Sequence, residues 1–172
     1  RLSTMPAGDS LVIAPDNSTR YAPVVALVHA IDTKQLVAIY VRFYPLFQQA
    51  YRELGYPDGY FNDRLVAVID HLIATPDVKP PIALVQPKVL YQYADPELEA
   101  LSAGQKAMIR VGPDNAAVLK AKLREIRYRV AGPDLPELPG SDLVLNEVMA
   151  DNVATLPDEA GEHDDWVELM NR

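Results

Sequence analysis

The highest density of side chains suited to ligand binding lies at residues 55–64, Gly-Tyr-Pro-Asp-Gly-Tyr-Phe-Asn-Asp-Arg. Aromatic rings beside hydrogen-bonding groups can stack against a sugar or a peptide and orient it. A simpler interpretation is that the aromatics anchor a loop to the core, that Asn62 or Asp63 caps a helix and that Arg64 pairs locally. We predict that any ligand surface uses this loop, with the site residues Tyr56, Tyr60, Phe61, Asn62, Asp63 and Arg64.

The adjacent pair Asp70 and His71 suggests acid–base chemistry, because histidine titrates near neutral pH. Neighbouring helical residues point about 100° apart, however, so the two side chains cannot serve one site. No serine stands in the turn context of a nucleophile. The three histidines are dispersed and cysteine is absent, which excludes metal-ligand spacing and thiolate chemistry. The sequence predicts no catalytic residue, no metal site and no cofactor.

Charge is distributed unevenly along the chain. Residues 1–131 carry 15 basic and 13 acidic side chains, a formal charge of +2, whereas residues 132–172 carry 11 acids and one arginine, a charge of −10. A charge of +2 is far below that of a nucleic-acid-binding domain. We therefore expect no nucleic-acid partner, and a solvated face for the cations clustered near the end of the helical part, Lys120, Lys122, Arg124, Arg127 and Arg129.

Hydrophobic periodicity predicts a mainly α-helical bundle that includes a short extended pair at 82–85 and 89–93. An extended lead-in occupies residues 1–19, and the helical domain follows at 20–131. The longest helix is expected over 33–54, with Asp32 as its N-cap and Pro45 inside it. We expect its buried face to consist of Leu36, Ile39, Tyr40, Phe43, Phe47, Ala50, Tyr51 and Leu54.

Residues 132–141 contain three prolines and two glycines, which predicts a semi-rigid linker. Two short strands separated by an acidic, turn-rich loop are expected in the segment 142–172. No apolar run approaches the roughly 20 residues of a membrane span. Because the chain begins with Arg1 rather than methionine, we expect a processed or excised piece, and a membrane anchor could lie upstream.

The helical part is similar to a known family through many short motifs in order. These include Tyr44-Pro45-Leu46-Phe47-Gln48-Gln49-Ala50-Tyr51 and Tyr60-Phe61-Asn62-Asp63-Arg64, with further motifs at 68–72, 102–106 and 110–112. Together, over about residues 20–130, they resemble the proteobacterial family called domain of unknown function 3014. The resemblance implies an envelope protein, periplasmic or at the cell surface, and it assigns no catalytic residue.

The tail is similar to a different module. Residues 143–150 and 164–171 resemble the opening of a lamin-tail domain, which implies an immunoglobulin-like β-sandwich of which only the first two strands are present. A sandwich needs about seven strands. The resemblance therefore implies a truncated all-β segment at 142–172, following the helical domain.

Three functions remain open at this point. The first is a noncatalytic envelope domain, not an enzyme, with a structural or binding role toward an envelope protein or a glycan. The second is an enzyme acting on cell-wall polymers with carboxylates near the loop, at Glu53, Asp58 or Asp63. The third is a helical domain that binds a small molecule or a lipid.

Overall fold

The computed structural model describes residues 2–8, 10–132, 143–149 and 166–171. These ranges are mainly helical with a small antiparallel sheet, as predicted. The helices are α1 (Ala22–Ala30), α2 (Thr33–Glu53), α3 (Phe61–Ile73), α4 (Pro96–Glu99), α5 (Ala103–Arg110) and α6 (Pro113–Ala131), with a 3-10 helix at Pro15–Tyr21. The strands are β1 (Thr4–Ala7), β2 (Ser10–Ile13), β3 (Ala83–Val85), β4 (Gln92–Tyr93), β5 (Leu143–Met149) and β6 (Trp166–Asn171).

Local sequence signals account for several helix boundaries. The Asp32 carboxylate accepts a hydrogen bond of 2.8 Å from the Gln35 backbone N–H, which fixes the start of α2. Ser102 and Gln105 form a reciprocal capping box at the start of α5. Between α5 and α6, Gly112 has a φ of 90°. A Cβ there would lie 2.8 Å from that of Ser18, so this close approach requires glycine.

The predicted extended pair is part of a larger sheet. Its strands β3 and β4 are antiparallel, and β2 pairs with the other edge of β3. The four strands follow the order β1-β2-β3-β4. The lead-in at 1–19 therefore forms a hairpin and a 3-10 helix that belong to the same sheet and its surroundings, rather than an unpaired extended segment.

Two apolar clusters lie within the helical part and its four-stranded sheet. One joins α2, α3 and α6 through the buried residues Val37, Val41, Ile69 and Val130. The other packs the sheet against α5 through Ile82, Leu84, Tyr93 and Ile109. Long-range burial of this kind supplies most of the stability of a small domain.

The predicted buried face of α2 is wrong in large part. Of the expected residues, only Tyr40 and Tyr51 are half-buried, and the others are exposed. The side that faces α3 and α6 is centred about 100° away. It consists of Thr33, Val37, Val41, Tyr44 and Gln48. The bulkiest apolar side chains of α2 therefore lie on its outside.

The C-terminal strands β5 and β6 form an antiparallel hairpin with an irregularity between Leu145 and Glu147. A hairpin is compatible with many folds, so these two strands do not show an immunoglobulin-like domain. The predicted linker at 132–141 lies, apart from Gly132, outside the described residues, as does the acidic loop between the strands.

Candidate functional site

The loop at residues 56–64 is held by one buried amide, that of Gln48. Its Oε1 accepts a hydrogen bond of 2.8 Å from the Phe61 backbone N–H and one of 3.0 Å from the Tyr44 hydroxyl. Its Nε2 donates to the Gly59 carbonyl at 2.8 Å. Three hydrogen bonds from one buried side chain fix both the turn at Gly59 and the start of α3.

Asn62 connects the same loop to the end of α6. Its Oδ1 accepts a hydrogen bond of 2.9 Å from the Tyr40 hydroxyl, and its Nδ2 donates to the Val130 carbonyl at 2.9 Å. Burial, and then the nearby Tyr44 hydroxyl, raise the pKa of Tyr40 far above its ordinary value. The Oδ1 and Nδ2 atoms of Asn62 thus each make a hydrogen bond within the protein, which ties the loop to α2 and to the end of α6.

The aromatic rings of the loop pack against those of α2. Phe61 stacks on Phe47 with ring centroids 5.4 Å apart, and Tyr56 stacks on Tyr51 at 4.6 Å. Tyr56 and Tyr60 nevertheless remain 54% and 55% exposed. The Tyr56 ring is therefore anchored on one side and accessible on the other, a geometry suited to contact with a partner surface.

The six predicted site residues fall into two groups. Phe61 and Asn62 are half-buried and hold the loop in place, whereas Tyr56, Tyr60, Asp63 and Arg64 are exposed. The structure thus places four of the six on an accessible surface, and the other two beneath it as support.

A larger exposed surface adjoins this loop, and the sequence analysis assigned all of its residues except Leu46 to the core. Ile39, Leu46 and Leu54 are 56%, 61% and 76% exposed. Phe47 links the row to the loop, because it is 40% exposed and also stacks on Phe61. We call this row the outer face of α2; it consists of Leu36, Ile39, Phe43, Leu46, Phe47, Ala50 and Leu54. The apolar arc of α2 is wider than a single packing interface needs. This width is the signal in the sequence that a second apolar face could remain exposed.

A separate cleft of about 540 Å³ lies between the N-terminal hairpin and the junction of α5 and α6. Its walls are mainly apolar and include Met5, Val12 and Ile82, while Arg110 and Asp114 contribute the charges. This volume falls within the usual range of small-molecule sites. The sequence offered no signal for this cleft, because its walls come from distant parts of the chain.

Comparison with known families agrees with the resemblance predicted for the helical part and gives no support to the lamin-tail resemblance predicted for the tail. The chain matches the family described as "Protein of unknown function (DUF3014)" over residues 1–127. The chain belongs to this family. No curated protein and no solved structure matches the chain.

The solvated face that was predicted for the cations of α6 in this DUF3014 domain is correct for Arg124 and Arg127, which are exposed, and wrong for the two lysines. Lys120 is buried, and its Nζ donates to the Thr75 carbonyl at 2.5 Å and to Asp77 at 2.6 Å. Lys122 donates to the Ile31 carbonyl at the end of α1. These lysines connect α6 to neighbouring segments, which leaves fewer cations for an anionic partner.

The expected independence of Asp70 and His71 is confirmed. Asp70 forms an ion pair with Arg127, and this hydrogen bond lowers the pKa of its carboxyl. His71 instead contacts the Ser102 hydroxyl through Nε2 at 2.7 Å. Within the described ranges, no group of three or more histidine, cysteine, aspartate or glutamate side chains is placed to hold a metal ion.

None of the helices described in this DUF3014 domain is alone long and apolar enough to cross a membrane. Residues 15–30 and 33–53 satisfy length and composition only when taken together, and they meet at a bend of 78°. Both segments contain aliphatic side chains that are exposed, on α1 and on the outer face of α2.

Proposed function

We propose that this chain contributes a noncatalytic binding domain of the cell envelope, which contacts a partner protein through the outer face of α2 and the adjoining loop. One observation supports the proposal above the others. A continuous row of large apolar side chains remains exposed along α2, next to the side of the helix that is buried against α3 and α6. Extended exposed apolar patches on folded proteins mark interaction sites.

The envelope location rests on the family resemblance. The same applies to the tail, which we propose to be the beginning of a lamin-tail-like module that follows the helical domain. A glycan partner would use the exposed rings Tyr56 and Tyr60, whereas a protein partner would cover the whole row. The length of the row favours a protein.

The absence of cysteine makes the proposal testable by labelling in cells. The variant L46C places a single thiol on the outer face of α2. The control K34C places it at an exposed position of the same helix that lies outside this face. In cells that naturally produce the protein, we expect a maleimide reagent to label K34C but not L46C. Purified, dilute protein should react at both positions. Equal labelling of the two variants in cells would refute a covered outer face.

The cleft supports a second candidate function, the binding of a small apolar molecule. Ala7 is exposed and lines the cleft, so A7W should fill this space without removing a buried group. A screen of alkyl carboxylates by NMR should then shift Ile109 and Arg110 resonances in the wild type and not in A7W. Shifts that persist in A7W would place the binding elsewhere.

For an enzyme acting on cell-wall polymers, the loop offers exposed carboxylates at Asp58 and Asp63. The carboxylate of Glu53 accepts a hydrogen bond of 2.8 Å from Gln49. The described cleft is lined by other residues. The geometry therefore favours the binding role over this alternative.

A further inference from the structure

The outer face of α2 has the residue spacing of a helix–helix seam. Leu36, Ile39, Phe43, Leu46 and Ala50 follow one another at intervals of three, four, three and four residues. This is the heptad spacing by which one helix packs its side chains into gaps of another helix. Phe47 and Leu54 widen the row on one side. A partner that is itself a helix fits such a seam.

The row reaches the area of a stable pair when the adjoining rings Tyr56 and Tyr60 are included. From the exposed fractions of its large side chains, the row of one copy offers roughly 570 Å² of apolar surface, taking about 180 Å² for a fully exposed large residue. Two copies of the row alone would bury on the order of 1,100 Å², slightly below the lower limit of about 1,200 Å² for specific interfaces. With Tyr56 and Tyr60, which are 54% and 55% exposed, the total rises to about 1,500 Å² on the same basis.

The large side chains of the row are exposed to different degrees, from 36% at Leu36 to 76% at Leu54, and Phe47 also stacks on Phe61 of α3. In the core cluster of the described domain, α3 and α6 meet α2 on the side that contains Val37 and Val41. The outer face of α2, from Leu36 to Leu54, is about 27 Å long. A second copy presents the same length and the same spacing, and a two-fold axis makes one surface complementary to itself.

We infer that two copies of this chain form a symmetric dimer by antiparallel packing of their α2 outer faces. This inference rests on the proposed binding role of that face and names its partner. Antiparallel packing places the N-terminal end of each α2 dipole beside the C-terminal end of the other, which is favourable. If the whole outer face from Leu36 to Leu54 is covered, the midpoint falls at residue 45. This alignment brings Leu36 opposite Leu54 and places Leu46 near the two-fold axis.

Two other occupants fit the same surface less well. A bilayer requires an apolar surface but no heptad spacing, and the helical part, with a formal charge of only +2 over residues 1–131, gives anionic lipid little electrostatic attraction. The described residues of the chain's own tail beyond Gly132 form the two strands β5 and β6, and strands do not interdigitate with a heptad seam.

The first test is the oligomeric state of the full chain. Sedimentation equilibrium from 1 to 200 μM should show a concentration-dependent dimer. L46E should weaken dimerisation by at least 100-fold, because it introduces a charge near the two-fold axis, while circular dichroism shows unchanged helicity. The matched control Q49E, three residues away and outside the seam, should dimerise within threefold of the wild type. A wild-type monomer at 200 μM would overturn the inference.

The second test determines the orientation by disulfide trapping. On mild oxidation, L46C should cross-link to its own copy, whereas L36C and L54C should each do so poorly. A mixture of L36C and L54C should give the mixed disulfide. Strong self-linking at all three positions would indicate parallel packing and would overturn the antiparallel arrangement.

Other outcomes identify a different occupant. A monomer whose flotation with phosphatidylglycerol vesicles is abolished by L46E would replace the dimer by a membrane surface. A monomer in which L46C resists labelling at every concentration would replace it by the tail. A monomer that labels freely when purified but is protected in cells would overturn the dimer and leave the proposed binding function intact.

Discussion

At the scale of single residues, Gln48 illustrates how a polar side chain can organise a loop from inside the core. It is buried and makes three hydrogen bonds, to Tyr44, Gly59 and Phe61. Asn62 acts in the same way from the other end of the loop. The accessible rings Tyr56 and Tyr60 are therefore presented by a loop whose backbone is fixed from beneath.

Q48A should destabilise the protein by about 2–3 kcal/mol, because it leaves several partly buried donors and acceptors without partners. Urea unfolding followed by circular dichroism measures the change. The neighbouring Q49A removes only an exposed bond to Glu53 and should stay within about 0.5 kcal/mol of the wild type. Equal losses in the two variants would contradict the anchoring role of Gln48.

Acid sensitivity should reflect Glu99. Its carboxylate accepts hydrogen bonds from Lys106 Nζ at 2.6 Å and from the Tyr93 backbone N–H at 2.9 Å, and these bonds hold its pKa below the ordinary value. A lowered folded-state pKa stabilises the protein above the unfolded pKa of about 4.3, and this contribution is lost as pH falls through the lower value.

E99Q should therefore melt below the wild type at pH 7 and lose less stability between pH 5 and pH 2. Thermal melts across this range measure both effects. E97Q changes an exposed carboxylate two residues away and should reproduce the wild-type pH dependence. If E99Q and the wild type lose stability in parallel, the ion pair contributes nothing to acid sensitivity.

At the scale of elements, α2 has two apolar sides with different roles. The side with Val41 packs in the core, and the side with Ile39 is exposed. V41A should therefore cost about 2 kcal/mol through lost burial and an unfilled cavity. I39A, measured by urea unfolding at low protein concentration, should cost less than about 0.5 kcal/mol. The reverse order would show that the face predicted from sequence is the buried one.

The limits of α2 were predictable from the sequence, but its orientation was not. Asp32, Gln35 and Gly55 mark its ends through local hydrogen bonding and backbone geometry, and the observed bounds agree. The apolar arc spans more than half of the helix circumference, so periodicity alone allows more than one inward direction. Periodicity favours the row with the bulkier side chains as the buried face. Contacts with α3 and α6 instead bury the row of smaller residues that includes Val37 and Val41.

Contacts between distant parts of the chain also limit how much of the site can be predicted from the sequence. The loop was identifiable because its aromatic and charged residues are contiguous. Its connection with the outer face through Phe47 depends on how α2 and α3 pack. Lys120 is a further example, since a lysine among cations predicts a solvated face. Only the fold places the Thr75 carbonyl and Asp77 within reach of its Nζ.

At the scale of the whole molecule, the described helical part is closed by its first and last segments. Strand β2 pairs with β3 across about 70 residues of chain, so the N-terminal hairpin belongs with the helical part. At the other end, Val130 is 1% exposed and its carbonyl accepts a hydrogen bond from Asn62. The contacts of α6 with the core thus continue to the last turn of that helix.

Removal of residues 132–172 should therefore leave the helical part folded. All four buried residues of the cluster around Val37 are retained, and the deleted segment contains the predicted proline linker and 11 of the 24 acids. We expect a cooperative melt shifted by no more than a few degrees, which corresponds to about 1 kcal/mol in a domain of this size. Circular dichroism melts of the full and shortened chains measure it.

Removal of residues 128–172 is the matched control, because it also deletes Val130 and should lower stability by several kcal/mol. If the shorter deletion abolishes the cooperative transition, the tail is an integral part of the helical fold.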